Sequence, residues 1–170
     1  MRKKNSNTFE LIILGTSSAT PSKNRHPSAH LLNIQEQLFL IDCGEASQVR
    51  LFLNKIHWNQ LSHIFISHLH GDHIFGLPGL LSSMGLNGRQ TKLQIVGPEG
   101  LQEYVETSLR LSYCQIEFEL EFIVINHTQS TNLYNDGELS ITSFPLDHRV
   151  PCVGYCFKLA MQHQKLNKEK

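Results

Sequence analysis

The sequence predicts an α/β protein built on a mixed sheet. Two observations lead there. Short apolar runs of strand length alternate with segments whose apolar residues recur at helical spacing, and the later part of the chain is rich in strands alone. Phe9 to Leu14 is an apolar run closed by Gly15 and reads as a buried strand. Thr16 to Pro27, rich in Ser, Thr and Pro, reads as a loop. His30 to Ile34 and Gln37 to Ile41 form a hairpin around Gln35-Glu36. Gly44 to Asn54 reads as a helix, with Val49, Leu51, Phe52 and Leu53 as an imperfect apolar stripe. Ile64 to Ser67 is a strand running straight into a histidine cluster, and Leu77, Leu80, Leu81 and Met84 place a helix over Ile74 to Met84. Leu93 to Val96 is a strand closed by Gly97-Pro98, followed by a helix from Glu99 to Leu111. Glu117 to Ile125, Glu138 to Phe144 and Val153 to Leu159 are the remaining strands, and the polar Gln164 to Lys170 reads as a frayed end.

Composition narrows the function. With 170 residues and 40% hydrophobic positions, the chain suits one globular domain and not a disordered segment. Fifteen Lys and Arg balance fifteen Asp and Glu, which excludes a globally basic, DNA-coating protein. A nucleic-acid partner would need a local patch or a bound metal to supply positive field. Cys43, Cys114, Cys152 and Cys156 form no CxxC pair and read as reduced thiols of an intracellular protein. Cys152 and Cys156, four apart in an expected strand, could share a face but lie too far apart for an easy disulfide. Arg2-Lys3-Lys4 mimics the charged start of a signal peptide, yet the apolar run Leu11 to Leu14 is too short to complete one. No stretch approaches the ~20 apolar residues of a transmembrane helix. The expectation is a soluble, cytoplasmic protein with no membrane partner.

The chemistry is concentrated in His68-Leu69-His70-Gly71-Asp72-His73, which holds three of the ten histidines and a carboxylate. Imidazole nitrogen and carboxylate oxygen suit zinc and similar divalent ions. At a strand end His68 and His70 project to one side, because side-chain direction repeats every two residues. Gly71 permits a sharp turn that lets Asp72 and His73 point back from a helix start. The spacing suits two adjacent metal positions, one served by His68 and His70, the other by Asp72 and His73. A polar loop whose histidines cap the next helix is the plainer alternative, and the complete HxHxDH pattern argues against it.

HxHxDH is the signature of the metallo-β-lactamase superfamily, and its flanks make the resemblance narrower. Leu14-Gly15-Thr16, Pro21-Ser22-Lys23-Asn24-Arg25 and Ile41-Asp42-Cys43-Gly44-Glu45-Ala46-Ser47-Gln48 resemble ribonuclease Z, the tRNA 3′-processing endonuclease family. So do Ser67 to His73 continuing into Gly76-Leu77-Pro78-Gly79-Leu80-Leu81, and Gly97-Pro98. Leu146-Asp147-His148-Arg149-Val150 with Gly154-Tyr155 is similar to that family's later histidine motif. The resemblance runs from Leu11 to Phe157. It implies a metallo-β-lactamase-like αββα sandwich, of which this chain supplies mainly the first half, as one domain over residues 1–170 truncated on its C-terminal side.

The same resemblance implies two zinc ions per complete site. His68, His70 and His148 would hold one. Asp72 and His73 would help hold the second, with Asp72 also the proton acceptor for the attacking water. The implied substrate is a tRNA precursor, cleaved to leave a tRNA 3′-hydroxyl, and the implied assembly is a homodimer. On sequence alone, His148 could equally be a structural histidine after a strand. Lys23 and Arg25 lie in a loop that approaches the RNA 3′ end in the resembled family, or are ordinary solvated charges. His26 stands where that family has asparagine. Asp42 reads as a carboxylate that orients the metal histidines, not as a catalytic acid, and Glu45 has no assigned role. His30, His57, His63, His127 and His163 show no ligand spacing. The family's bridging aspartate and final histidine have no counterpart here in matching context, so the second metal position is expected to be incomplete. Two alternatives stand beside the endonuclease: a non-catalytic zinc- and RNA-binding half-domain, and another metallo-β-lactamase-fold hydrolase.

Overall fold

The computed structural model describes residues 8–20 and 22–160. Phe9–Gly15 (β1), Ala29–Ile34 (β2) and Gln37–Ile41 (β3) form an antiparallel meander. Its tight hairpin places Gln35 and Glu36 at φ 50° and 67°, the left-handed pair that a two-residue β-turn requires. The chain then alternates. Ser47–Leu53 (α1), a 3₁₀ turn at Trp58–Gln60 and Leu61–Phe65 (β4) precede Gly71–Ile74 (α2), Leu77–Leu86 (α3) and Leu93–Gly97 (β5). Leu101–Leu111 (α4) and Leu120–Val124 (β6) follow. Because β3 to β6 pair in parallel, the six-stranded sheet is mixed, as expected, with its strands in chain order. Thr131–Asn135 (β7), Leu139–Pro145 (β8) and Val153–Leu159 (β9) make a separate three-stranded antiparallel sheet.

Two cores result from the pleat. Leu31, Leu40, Ile64 and Ile95 face the helices and pack with Leu51, Leu80, Leu81 and Val105. Leu32, Phe39, Phe65 and Val96 face the other way, onto Leu139, Ile141 and Val153 of the small sheet. Neighbours such as Leu31 and Leu32, or Ile64 and Phe65, thus serve opposite cores, which is why these strands read as continuous apolar runs. Each fully buried Leu, Ile or Phe contributes about 1.5–3 kcal/mol relative to exposure. Tyr155 fastens the two sheets by donating its hydroxyl to the Ile66 carbonyl at 2.7 Å. The described residues thus supply helix, sheet and sheet layers.

Several element expectations need correction. The first helix starts at Ser47, after Ala46 in the left-handed region at φ 67°, and only Leu51 of its expected stripe is buried. Seven residues make under two turns, so Val49, Phe52 and Leu53 cannot all reach the core and remain exposed. The single helix expected over Ile74 to Met84 is two helices broken at Phe75-Gly76. There Gly76 lies so close to the Gly44 carbonyl that a side chain would not fit, and Pro78 opens α3, where its missing N–H costs nothing. Strand β7 was not expected at all. Cys152 precedes β9 and is buried while Cys156 faces outward, so the two do not share a face, and all four cysteines are free. The expectations for Arg2-Lys3-Lys4, His163 and Gln164 to Lys170 lie outside the described residues.

Candidate metal centre

The site is assembled at the ends of β3 and β4. Strand β4 closes at Phe65, so His68 and His70 lie in the loop beyond it, and strand alternation is not what orients them. Gly71 likewise has no left-handed backbone; it simply opens α2, with His70 as N-cap residue. What orients the rings is a hydrogen-bond relay centred on Asp42. Its Oδ1 accepts from the Ser67 backbone N–H at 2.9 Å and from the Ser67 hydroxyl at 2.8 Å. Oδ2 accepts from the Ser28 hydroxyl at 3.1 Å and faces His73 Nδ1 at 2.6 Å. Asp42 itself sits at φ 56°, a left-handed position that aspartate tolerates better than most residues.

The relay assigns tautomers. With its proton given to Asp42, Ser67 Oγ accepts from His68 Nδ1 at 3.0 Å, which leaves His68 Nε2 bare. His73 donates from Nδ1 to Asp42, so in the neutral ring Nε2 is the bare nitrogen, 3.5 Å from Asp72 Oδ2. His148 arrives from the β8–β9 hairpin, whose loop is closed by Leu146 N–H to the Cys152 carbonyl at 3.0 Å. The Val153 N–H then donates to the Ser67 carbonyl at 3.1 Å and ties that hairpin to the residue preceding His68.

His68 Nε2 lies 3.1 Å from His70 Nδ1, and His148 Nε2 lies 3.4 Å from the same atom. One nitrogen from each of these three residues falls within 4.8 Å of the other two. Nitrogens around one tetrahedral zinc, each about 2.0–2.1 Å from it, stand about 3.4 Å apart, so the three histidines fit such an ion. Asp72 and His73 form an adjacent pair with two donor atoms, and the described residues supply no third histidine, cysteine or carboxylate grouped with them. Burial, then the nearby His73 ring, pushes His68 down to about 4, so at neutral pH it is an uncharged ligand-competent imidazole. Burial opposes charge on His73 too, but its hydrogen bond to Asp42 and the two aspartate charges hold it above the ordinary value.

Lys23 and Arg25 are exposed in a tight turn closed by two backbone hydrogen bonds between Ser22 and Arg25. The base of that loop, through Ser18, Ala19 and Pro27, forms one side of a cavity of about 450 Å³ that also contains His70, Asp72 and His148. The two basic side chains are not in its lining. Sequence reasoning missed Ser67 and Ser28. The position of Ser67 directly before the cluster and two residues past an apolar strand was the available signal. Of the histidines given no ligand role, His63 is stacked 5.7 Å from Phe65 between the sheets, and none among the described residues joins the cluster.

A family model described as Anti-Pycsar protein Apyc1 matches residues 9–166. Ribonuclease Z of Porphyromonas gingivalis is 39% identical over 160 residues, covering 94% of this chain and 53% of that protein. Ribonuclease Z of Methanocaldococcus jannaschii is 41% identical over 150 residues, covering 88% and 47%. Among solved structures, the short form of human tRNase Z superposes with a TM-score of 0.80 at 31% identity, covering 88% of this chain and 63% of that one. A metallo-beta-lactamase fold protein of Bacillus subtilis gives 0.67 at 22% identity, with 87% and 56% covered. The fold is therefore of the metallo-β-lactamase type, and the ribonuclease Z resemblance extends over most of the chain. The chain spans about half the length of the curated relatives it matches.

Proposed function

This chain belongs to the family described as Anti-Pycsar protein Apyc1, and on that premise we propose that it carries the metal-binding half of a phosphodiester hydrolase, an endoribonuclease of the ribonuclease Z type. The substrate in this reading is a tRNA precursor, cut so that the tRNA keeps a 3′-hydroxyl. The observation that carries it is the convergence of His68, His70 and His148 nitrogens within 4.8 Å. A bound zinc would supply Lewis-acid charge at the scissile phosphate and acidify the attacking water.

The chain's own residues do the rest. Asp72 presents a partly buried carboxylate at the cavity, placed to accept the water's proton. Asp42 and Ser67 hold the His68 and His73 rings so that a bare nitrogen of each faces inward. His148 closes the three-nitrogen set, while Asp72 and His73 serve a weaker second position. Lys23 and Arg25 bind the RNA backbone beyond the cavity, and the working assembly is a homodimer in the cytoplasm. No helix of the described residues is long and apolar enough to cross a membrane.

A second reading is a metallo-β-lactamase-fold hydrolase of another phosphodiester, since the family model that matches residues 9–166 is not described as a ribonuclease. One comparison separates the two. Zinc-loaded protein is incubated with a tRNA precursor and with a small aryl phosphodiester. Cleavage after the discriminator nucleotide, absent in Asp72→Ala, supports the endoribonuclease. Turnover of the small diester with the precursor left intact replaces it with the second reading.

A further inference from the structure

Phe75 is 64% exposed, although it follows directly on the helix that carries Asp72 and His73. Its ring occupies the space that a side chain at Gly71 would fill, so the glycine gives it a backbone shelf to rest on. From there it lines the same cavity as His70, Asp72, His148, Arg149 and Glu45. Burial does not account for this ring, because neither apolar core includes it.

We propose that Phe75 is a stacking platform for a nucleobase next to the scissile phosphate, so that the site takes single-stranded nucleic acid and not a bare phosphodiester. The inference rests on the hydrolase reading and adds how substrate is held. An aromatic face beside metal-ligating histidines supports a base while the phosphate meets the metal position. The Arg149 guanidinium, adjacent to His148, supplies a cation for a neighbouring phosphate. Glu45 offers an acceptor for a base amino group. Base stacking on an aromatic side chain is tolerant of sequence because every base has a π-face. The platform therefore sets where the strand lies more than which base occupies it.

Equilibrium binding of a short oligoribonucleotide with phosphorothioate linkages, carrying 2-aminopurine at each position in turn, tests the proposal on the full chain. At one position the fluorescence should be quenched on binding, and an abasic residue there should weaken affinity. Phe75→Ala and Phe75→Leu should each weaken binding between about fivefold and a hundredfold and remove the quenching. Phe75→Trp should restore both. Zinc content should stay at the wild-type level in all three. Wild-type affinity in Phe75→Leu overturns stacking in favour of simple apolar contact. Binding weakened by His68→Ala but unchanged by Phe75→Ala overturns the platform and leaves the hydrolase reading intact. Binding indifferent to both substitutions overturns the two together.

Discussion

Asp42 Oδ2 lies 2.6 Å from His73 Nδ1, and the other oxygen of the same carboxylate accepts the Ser67 hydroxyl that in turn faces His68. One buried carboxylate therefore fixes the ring orientation of two histidines, His68 in the three-nitrogen cluster and His73 beside Asp72. Its own place, at the turn out of β3, is held by an N–H bond to the Phe65 carbonyl at 2.8 Å.

Removing that carboxylate should loosen metal without removing any ligand. Asp42→Ala is expected to lower zinc affinity roughly 10–100-fold, the usual effect of losing a partner that orients a metal histidine. Asp42→Asn should fall between the two, since its amide accepts from Ser67 but cannot accept from His73 on the nitrogen side. Competition against a chromogenic chelator measures this. Equal affinities in all three proteins would show that the histidines orient themselves.

Metal stoichiometry follows from the donor count. The three-histidine position should retain close to one zinc per chain through dialysis, and the Asp72–His73 pair should lose its ion. Elemental analysis checks this, and unchanged zinc in His68→Ala would remove the assignment.

Stability should fall on the acid side. Burial among Phe39, Phe65 and Tyr134 lowers the pKa of His63, against weaker opposing effects of Gln94 and Glu121. The unfolded chain then binds a proton that the folded chain refuses, so stability is complete above about 6.5 and is lost as pH drops below it. Urea unfolding at pH 7 and at pH 5.5 should show a smaller difference in His63→Leu than in the wild type. An identical difference would place the acid sensitivity elsewhere, on groups such as His30 and His68 whose pKa burial also lowers.

Arg89 gives a purely structural prediction. Its buried guanidinium donates to the carbonyls of Asn59, Leu61, Thr91 and Lys92 at 2.8–2.9 Å, joining the starts of β4 and β5, with the charge 5.4 Å from the Phe118 ring centre. Arg89→Met strips partners from those carbonyls and should cost about 3 kcal/mol or more. A shift below about 1 kcal/mol in urea unfolding would mean that water replaces the guanidinium.

The thiols should separate by burial. Cys156 is exposed and should react first with a disulfide reagent in the native state. Cys43 is fully enclosed, and burial pushes it up to about 12, so it should react only on unfolding. Mass mapping of labelled peptides over time gives the order, and early labelling of Cys43 would show that the β3 end opens readily.

Much of the site was legible because its parts are adjacent in sequence. His68, His70, Asp72 and His73 fall within six residues, so any chain path through that turn keeps them neighbours. Asp42 was legible as an orienting carboxylate, though not the serine through which it acts. His148 lies 78 positions from His70, and residue spacing alone left it as a structural histidine. Only its likeness to a known motif singled it out. Strand β7 was hidden because TNLYN has an asparagine at each end of Leu133-Tyr134 and no fully buried residue. The α1 stripe misled for the opposite reason, since apolar residues at nearly helical spacing proved mostly solvent-facing.

By itself the sequence determined the strands buried on both faces, the helices between them and the histidine-rich turn after β4. Those depend on local periodicity and on covalent neighbours. Which nitrogens meet was decided by tertiary structure. The β8–β9 hairpin brings His148 to His68 because the small sheet packs on the large one and Val153 and Tyr155 hydrogen-bond to the Ser67 and Ile66 carbonyls across the two sheets. The bare face of each ring was decided the same way, because a tautomer follows from the partner on the other nitrogen. For His73 that partner is Asp42, 31 residues away, and no local pattern records it.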